Sequence, residues 1–418
     1  MTSTIKASVA YEFKKRIDMR YVTTLVLAGG IGTRLYPLTL SRCKPALCFG
    51  GNYRLIDVAL SNALHAGCKK IYILTQFLAT SLHRHVLKAY DSIGLLSAEQ
   101  KPSRSHWYQG TADAVRQNME YLLECEADYF LILSGDQLYQ MNFEDMAAYA
   151  EKTDADLVIA SLPVDQKTAK RMGILKIDSE KRIFDFHEKP EEEEVLESLK
   201  NYDNPQKPFL GSMGIYLFKR KVLLNLLKED SREDFGKHLI PTQVKKGNVR
   251  AFIYNGYWED IGTIESFYNA NMDLTTECPA FDISSQHFPI HTAFLGLSPS
   301  NIRNSEIKDS LICEGSTIIE GTLINSIIGP SSRIGKGTEI QTSYLFGNDR
   351  RPEDSESFSI GEDCVIKKAL IDKNVKIGNG VKLINQSGLK TYDSDKIHIR
   401  DGVIIVNRGA SLPDYFTL

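Results

Sequence analysis

Between residues 312 and 383 apolar side chains recur every six residues, and this period restricts the fold more than any other feature of the chain. Ile312, Ile318 and Ile324 form one series. After a slip of phase, Ile328, Ile334, Ile340 and Phe346 form a second; Ile360 and Ile366 follow, then Ile371, Ile377 and Leu383. A helix repeats near 3.6 residues and a free strand at 2, so a period of six predicts a β-helix of hexapeptide turns. Glycine stands directly after the apolar residue at Gly335, Gly361 and Gly378. A single coil cannot bury its own inward side chain, so such a domain is held together by the stacking of coils. Residues 347–357 and 385–396 break the period and are expected to be irregular loops.

The preceding part of the chain has a different rhythm. Short apolar runs at 22–27, 70–75, 129–133, 156–162, 173–177, 182–186, 214–218 and 249–254 read as strands. Amphipathic helical segments lie between them. Ile56, Leu60 and Leu64 recur at helical spacing, with Gly67 as the stop. Thr111 is expected to cap a helix carrying Val115, Met119 and Leu122, and residues 264–274 also read helical. This alternation predicts an α/β domain: a mainly parallel, Rossmann-like sheet with helices on both faces. A chain of 418 residues is too long for one ordinary core. The expected organisation is an extension at 1–20, the α/β catalytic domain at 21–277, a Pro- and Ser-containing linker at 278–300, and the β-helix at 301–418.

A net charge of −3 argues by bulk electrostatics against a nucleic-acid or anionic-membrane partner. No apolar run approaches the ~20 residues that a membrane span requires. The first residues have no apolar stretch of the signal-peptide kind and carry Glu12 and Asp18. Seven cysteines, an odd number without a C-x-x-C pair, point to reduced thiols and a cytoplasmic location. His83 and His85 are expected at the surface.

Residues 27–57, LAGGIGTRLYPLTLSRCKPALCFGGNYRLID, suggest the chemistry. A glycine-rich turn, Gly29-Gly30-Ile31-Gly32-Thr33-Arg34, follows the first strand at once. Glycines let the backbone approach a phosphate and aim N–H groups at it. Arg34 and Lys44 add fixed positive charge. There is no G-x-x-x-x-G-K-[ST], and Gly30-x-Gly32 lacks the third glycine of the dinucleotide fingerprint. Later segments place polar groups at strand ends: Asp136 in Ser134-Gly135-Asp136, Glu188 and Lys189 before Pro190, and Asp260 in Trp258-Glu259-Asp260. An acidic group at a strand end suits a divalent cation, although Asp136 and Asp260 can each also be read as helix N-termini.

Taken in order, G-x-G-T-R-L, K-P-A and Arg54-Leu55-Ile56-Asp57 resemble the sugar-nucleotide pyrophosphorylase family, and their detailed spelling is similar to its ADP-glucose-forming branch. Trp107-Tyr108-Gln109-Gly110-Thr111-Ala112-Asp113 and Gly211-Ser212-Met213-Gly214-Ile215-Tyr216 carry the resemblance further. It implies that ATP and glucose 1-phosphate are joined with Mg²⁺, a sugar phosphate oxygen attacking the α-phosphorus and pyrophosphate leaving. It implies Arg34, Lys44 and Asp136 as catalytic groups, with Asp136 and Asp260 on the metal. Gly29, Gly30, Gly32, Thr33, Gln100, Tyr108, Gly110 and Thr111 are expected at ATP, and Glu188, Lys189, Ser212 and Tyr216 at glucose 1-phosphate. A left-handed β-helix serving assembly and regulation, and a homotetramer, come with the same resemblance.

The chain also departs from that pattern. Ile31 and Ser41 stand where some relatives carry basic residues, and residues 289–297 contain no Arg or Lys. Lys373 and Arg408 remain as basic positions for an anionic effector, such as a sugar phosphate. Other readings are a relative using another base or sugar, a regulatory subunit without catalysis, and an acyltransferase in the β-helix. The second requires loss of a key charge, yet Arg34, Lys44, Asp136, Lys189 and Asp260 are all present. The third usually needs a histidine base, and residues 300–383 contain none.

Overall fold

The computed structural model describes residues 17–99, 106–202, 204–349 and 359–418. Gln100 therefore lies outside the described residues, as does most of the expected 1–20 extension. Among the described residues nine strands form the main sheet. Val22–Ala28 lies inside it, parallel to Lys70–Thr75 on one side and Tyr129–Ser134 on the other. Ile93–Ser97, unread in the sequence, extends the parallel edge. The eleven-residue strand Phe209–Lys219 runs antiparallel to Tyr129–Ser134, Leu157–Val164 and Gly173–Ile177, so the sheet is mixed in its second half.

Apolar side chains of the sheet pack against helices on both faces. On one face Val22, Val26, Leu131 and Leu133 meet Ile56, Ala59, Leu60 and Ala63 of the helix Leu55–His65. On the other, Leu25, Phe130 and Ile132 meet Val115, Leu122 and Phe235. Gly67 ends the first helix with a φ of +84°, a conformation that favours glycine. The helix expected from Thr111 is divided into Thr111–Gln117 and Met119–Glu124. Asn118 stands at the break and donates to Tyr108 Oη at 2.9 Å and to Ala114 O at 2.8 Å. Gly110, not Thr111, is the N-cap residue.

The six-residue period becomes three parallel sheets wound as a β-helix. One face stacks Ile302, Ile318, Ile334, Ile360, Ile377 and Leu412 in register. A second stacks Ile307, Leu323, Ile340, Ile366 and Leu383. The third stacks Ile312, Ile328, Leu345, Ile371 and Val406. Two expected inward residues are corrected: the coil shortens by one residue at these corners, so Leu323 replaces Ile324 and Leu345 replaces Phe346. Phe346 is buried elsewhere, against Phe267 of the helix Ile264–Asp273 and Tyr344, where the two domains meet. The expected loop 385–396 contains the strand Thr391–Asp393, which pairs with Ile397–Arg400 in an antiparallel excursion.

Residues 289–292 of the linker are sealed to the α/β domain around Asp57, which is fully buried. Its carboxylate accepts from Arg54 N at 2.8 Å, Tyr90 Oη at 2.9 Å and Thr292 Oγ1 at 2.8 Å, and bonds His85 Nε2 at 2.6 Å. His85 is thus a buried partner of Asp57, not the surface residue expected, because its helix turns that face onto the sheet domain.

Candidate active site

The site is built at the carboxyl ends of two neighbouring parallel strands, where Leu27 lies beside Ser134. This is the position at which open α/β sheets bind ligands. The glycine loop leaves the first strand. Gly32 has a φ of +69° and its carbonyl accepts from Thr39 Oγ1 at 3.0 Å, which fixes the turn into Thr33–Leu35. A side chain there would be strained and would crowd Lys44 Cβ at 3.1 Å. A Cβ on Gly30 would meet nothing within 4 Å, so the space before that backbone is open. Arg34 projects from the turn, exposed and without a carboxylate partner among the described residues.

Asp136 follows the second strand. Gly135 N donates to Leu27 O at 3.1 Å, which ties the turn carrying Asp136 to the end of the first strand, and a Cβ on Gly135 would press on Ile56 Cδ1 at 2.6 Å. Asp260 arrives from far along the chain. Trp258–Asp260 pairs antiparallel with Gln137–Tyr139, putting Asp260 opposite Gln137. Neither short strand was legible in the sequence, and their pairing makes the carboxylates converge. Lys44 Nζ lies between them, 2.6 Å from Asp136 Oδ2 and 3.2 Å from Asp260 Oδ1. Burial works against the ammonium charge, but the two carboxylates outweigh it and hold the Lys44 pKa above its ordinary value. Burial likewise opposes the Asp136 charge, but Lys44 and a hydrogen bond from Ser134 Oγ outweigh it and hold that carboxyl below its ordinary value. Neither carboxylate caps a helix. Thr263 is the N-cap of the helix Ile264–Asp273, closing a capping box with Ser266.

Arg34, Lys44 and Asp136 stand where two cavities meet. One, of about 240 Å³, is lined by Gly30, Gly32 and Thr33 of the loop. The other, of about 410 Å³, is lined by Thr111, Glu188, Lys189, Ser212, Tyr216 and Asp260. Glu188 ends the strand Ile183–Glu188, and its Oε2 would be 2.8 Å from a Cβ on Gly173 and 2.7 Å from one on Gly236. Those two glycines make room for the carboxylate. Burial pushes the Glu188 carboxyl above its ordinary value, and nearby Lys189 only partly offsets this. Lys189 takes a φ of +49°, held by its N–H bond to Met172 O at 3.0 Å, a conformation uncommon for a residue before proline. Its ammonium reaches into the larger cavity while staying exposed, 3.5 Å from Glu188 Oε1. Such a strained backbone at a cavity wall is a sign of function that no sequence pattern reveals.

Three expected nucleotide residues sit apart from the cavity walls. Gly29 and Tyr108 are neighbours, a Gly29 Cβ falling 3.9 Å from Tyr108 Cδ2, and Tyr108 N donates to Gln76 Oε1 at 2.6 Å. Gly110 packs against backbone: a Cβ there would be 2.5 Å from Glu233 O. Thr111 Oγ1 accepts from Phe235 N at 3.0 Å and donates to Asp234 Oδ2 at 3.2 Å. Asp234 and Trp258 also line the larger cavity and were missed in the sequence.

Lys373 and Arg408 lie where the two domains meet. Lys373 is buried, with Nζ 2.6 Å from Asp349 Oδ1, and Arg408 bonds the other oxygen of the same carboxylate. Buried Arg42 forms a two-oxygen pair with Asp372 at 2.8 and 3.1 Å, and Arg54 donates to Cys48 Sγ nearby. Sequence reading did not connect Arg42 and Arg54 with these lysine and arginine positions, because they are more than 300 residues away in the chain.

Two cavities that meet at Arg34, Lys44 and Asp136, with Asp260 in the wall of the larger one, suit transfer between two phosphorylated substrates, the organisation of a nucleotidyltransferase. Residues 23–277 match the nucleotidyl transferase family, and residues 296–417 match the GLGC left-handed parallel beta-helix domain. The chain belongs to the ADP-glucose pyrophosphorylase family, whose activity is that of a glucose-1-phosphate adenylyltransferase. ATP and glucose 1-phosphate are the substrates this family implies. Among the described residues no helix is long and apolar enough to cross a membrane.

Proposed function

We propose that this chain is a catalytic subunit that makes ADP-glucose and pyrophosphate. The observation that supports this reading most is the convergence of Asp136 and Asp260 on Lys44 at the meeting point of the two cavities. The backbone N–H groups of the loop Gly29, Gly30, Gly32 and Thr33, with Arg34, take the triphosphate. Tyr108 borders the nucleotide loop through its contact with Gly29 and Gly110 packs behind it, while Thr111, expected at ATP, lines the larger cavity. In the larger cavity Lys189 holds the sugar phosphate, Glu188 accepts a sugar hydroxyl, and Ser212 and Tyr216 complete the sugar wall. Holding both substrates in line supplies much of the rate, since phosphoryl chemistry needs positioning and charge neutralisation more than a protein nucleophile.

A divalent cation fits this donor set. Two carboxylates already approach one cation, Lys44 Nζ, at 2.6 and 3.2 Å. Mg²⁺ takes one or two carboxylates and fills its remaining positions with water and substrate phosphate oxygens, which points to Asp136 and Asp260 as its holders. When bound it supplies neutralisation of charge on the polyphosphate. Lys44 keeps its proton and counters the two carboxylates, and Arg34 is left free to pair with phosphate.

In this reading Lys373 and Arg408, joined by Arg42 and Arg54, form a seat for an anionic effector such as a sugar phosphate. The β-helix offers the assembly surface of a cytoplasmic homotetramer. The test is pyrophosphate release by the purified chain alone with Mg²⁺, ATP and glucose 1-phosphate. Turnover and one ADP-glucose per pyrophosphate support a catalytic subunit. Turnover only after a second chain is added moves this one to a regulatory role.

A further inference from the structure

We infer that the Asp349 carboxylate is a tethered occupant of the anion seat between the two domains, and that an anionic effector binds there only by displacing it. The inference rests on the effector reading above. Among the described residues four cations, Arg42, Arg54, Lys373 and Arg408, surround two carboxylates, Asp349 and Asp372. The carboxylates are not equivalent. Asp372 is 4% exposed, and both its oxygens bond one guanidinium nitrogen of Arg42, a closed structural pair. Asp349 is 35% exposed, and its two oxygens bridge two different cations, Lys373 and Arg408. That is how an external anion would be held, with the solvent side open for exchange.

The position of Asp349 belongs to the fold. Asn348 N donates to Pro330 O at 2.8 Å, and Asp349 N donates to Asn374 Oδ1 at 3.0 Å. The backbone of the β-helix therefore presents this carboxylate to Lys373. The surrounding cations overcome the effect of burial and hold its carboxyl well below the ordinary range, so it stays ionised throughout neutral pH. The seat is still not saturated. Arg42 Nη1 is buried with no hydrogen-bond partner among the described residues. A buried guanidinium N–H without an acceptor is costly, and an added oxyanion would relieve it.

A phosphate group brings more negative charge and more acceptor oxygens than one carboxylate. It can therefore satisfy Lys373 and Arg408 in place of Asp349 and add a partner for Arg42. Its affinity is reduced by the work of breaking the bonds of Asp349 and by repulsion between the two anions. The side chain thus sets the effector concentration at which the seat fills.

The test is titration of the full chain with inorganic phosphate by calorimetry, in the absence of substrates. Asp349→Asn should bind phosphate at least about tenfold more tightly than the natural chain, the size of removing one charge-assisted competitor. Lys373→Met marks the seat by abolishing the binding. Equal or weaker phosphate binding by Asp349→Asn, with Lys373-dependent binding in the natural chain, overturns the tethered occupant and leaves the effector seat standing. Absence of Lys373-dependent binding in both chains overturns the two together. A crystal structure of the natural chain with phosphate gives an independent check should Asp349→Asn fold poorly. The bond between Lys373 and Asp349 must be broken; phosphate seated on Lys373 beside an intact bond contradicts the inference.

Discussion

Asp136→Asn separates the chemistry of the site from the stability of the fold. Asp136 Oδ2 lies 2.6 Å from Lys44 Nζ, yet the substitution does not strand a buried ammonium, because Asp260 Oδ1 remains at 3.2 Å. The Asp136 side chain is also 22% exposed, so water can reach the new amide. The stability loss should be about 1–2 kcal/mol, well under the cost of breaking a fully buried pair. For a domain of this size that is a fall of about 2–8 °C in Tm. The catalytic loss should be larger. Removing one key electrostatic group from a preorganised site costs about 3–4 kcal/mol of transition-state stabilisation, or about 100- to 1,000-fold in kcat. The assay is pyrophosphate release at saturating ATP, glucose 1-phosphate and Mg²⁺, beside a thermal melt of the same preparation. A variant with a near-normal kcat refutes the role given to Asp136. One whose Tm collapses together with kcat refutes the argument that Asp260 keeps Lys44 satisfied.

Lys189→Ala should raise the KM for glucose 1-phosphate by at least about tenfold, the worth of a charge-assisted bond, while the KM for ATP changes little; equal effects on both contradict its placement. Because burial holds the Glu188 carboxyl above its ordinary value, the group protonates early on acidification and its charge-assisted bond to a sugar hydroxyl weakens to a neutral one. The glucose 1-phosphate KM should then rise as pH falls more steeply in the natural chain than in Glu188→Gln, which lacks this titration. Gly110→Ala sets a methyl 2.5 Å from Glu233 O and should cost about 1–3 kcal/mol in denaturant unfolding. Asp57→Ala leaves His85, Tyr90 and Thr292 without their shared acceptor and should destabilise by about 3–5 kcal/mol, read by the same unfolding curve.

Features encoded locally were legible in the sequence. The run into Gly29 gave the first strand, and Gly67 marked the end of a helix because a left-handed turn there favours glycine. The six-residue period announced the β-helix, since each coil repeats one local geometry. It failed by a single position at Ile324 and Phe346, where the coil shortens at a corner and the neighbouring Leu323 and Leu345 turn inward. What depends on long-range pairing was not legible. The convergence of Asp136 and Asp260 is produced by two strands of three residues each, too short to carry a periodic signal. The bond of His85 to Asp57 joins two helices that are separate in the sequence, and the cation seat needs residues from both ends of the chain. Gly110 lay in a segment read as nucleotide-binding, but its lack of a side chain is explained by the backbone of Glu233.

The central claim is that this site joins ATP to glucose 1-phosphate. It is tested most directly by pyrophosphate release from the purified chain with Mg²⁺, across ATP, GTP, UTP and dTTP, each paired with glucose 1-phosphate and with mannose 1-phosphate. The account predicts turnover confined to ATP with glucose 1-phosphate. Preferred turnover with any other pair contradicts the assignment of the nucleotide and sugar cavities, and no turnover with any pair contradicts the claim that the chain is a catalytic subunit.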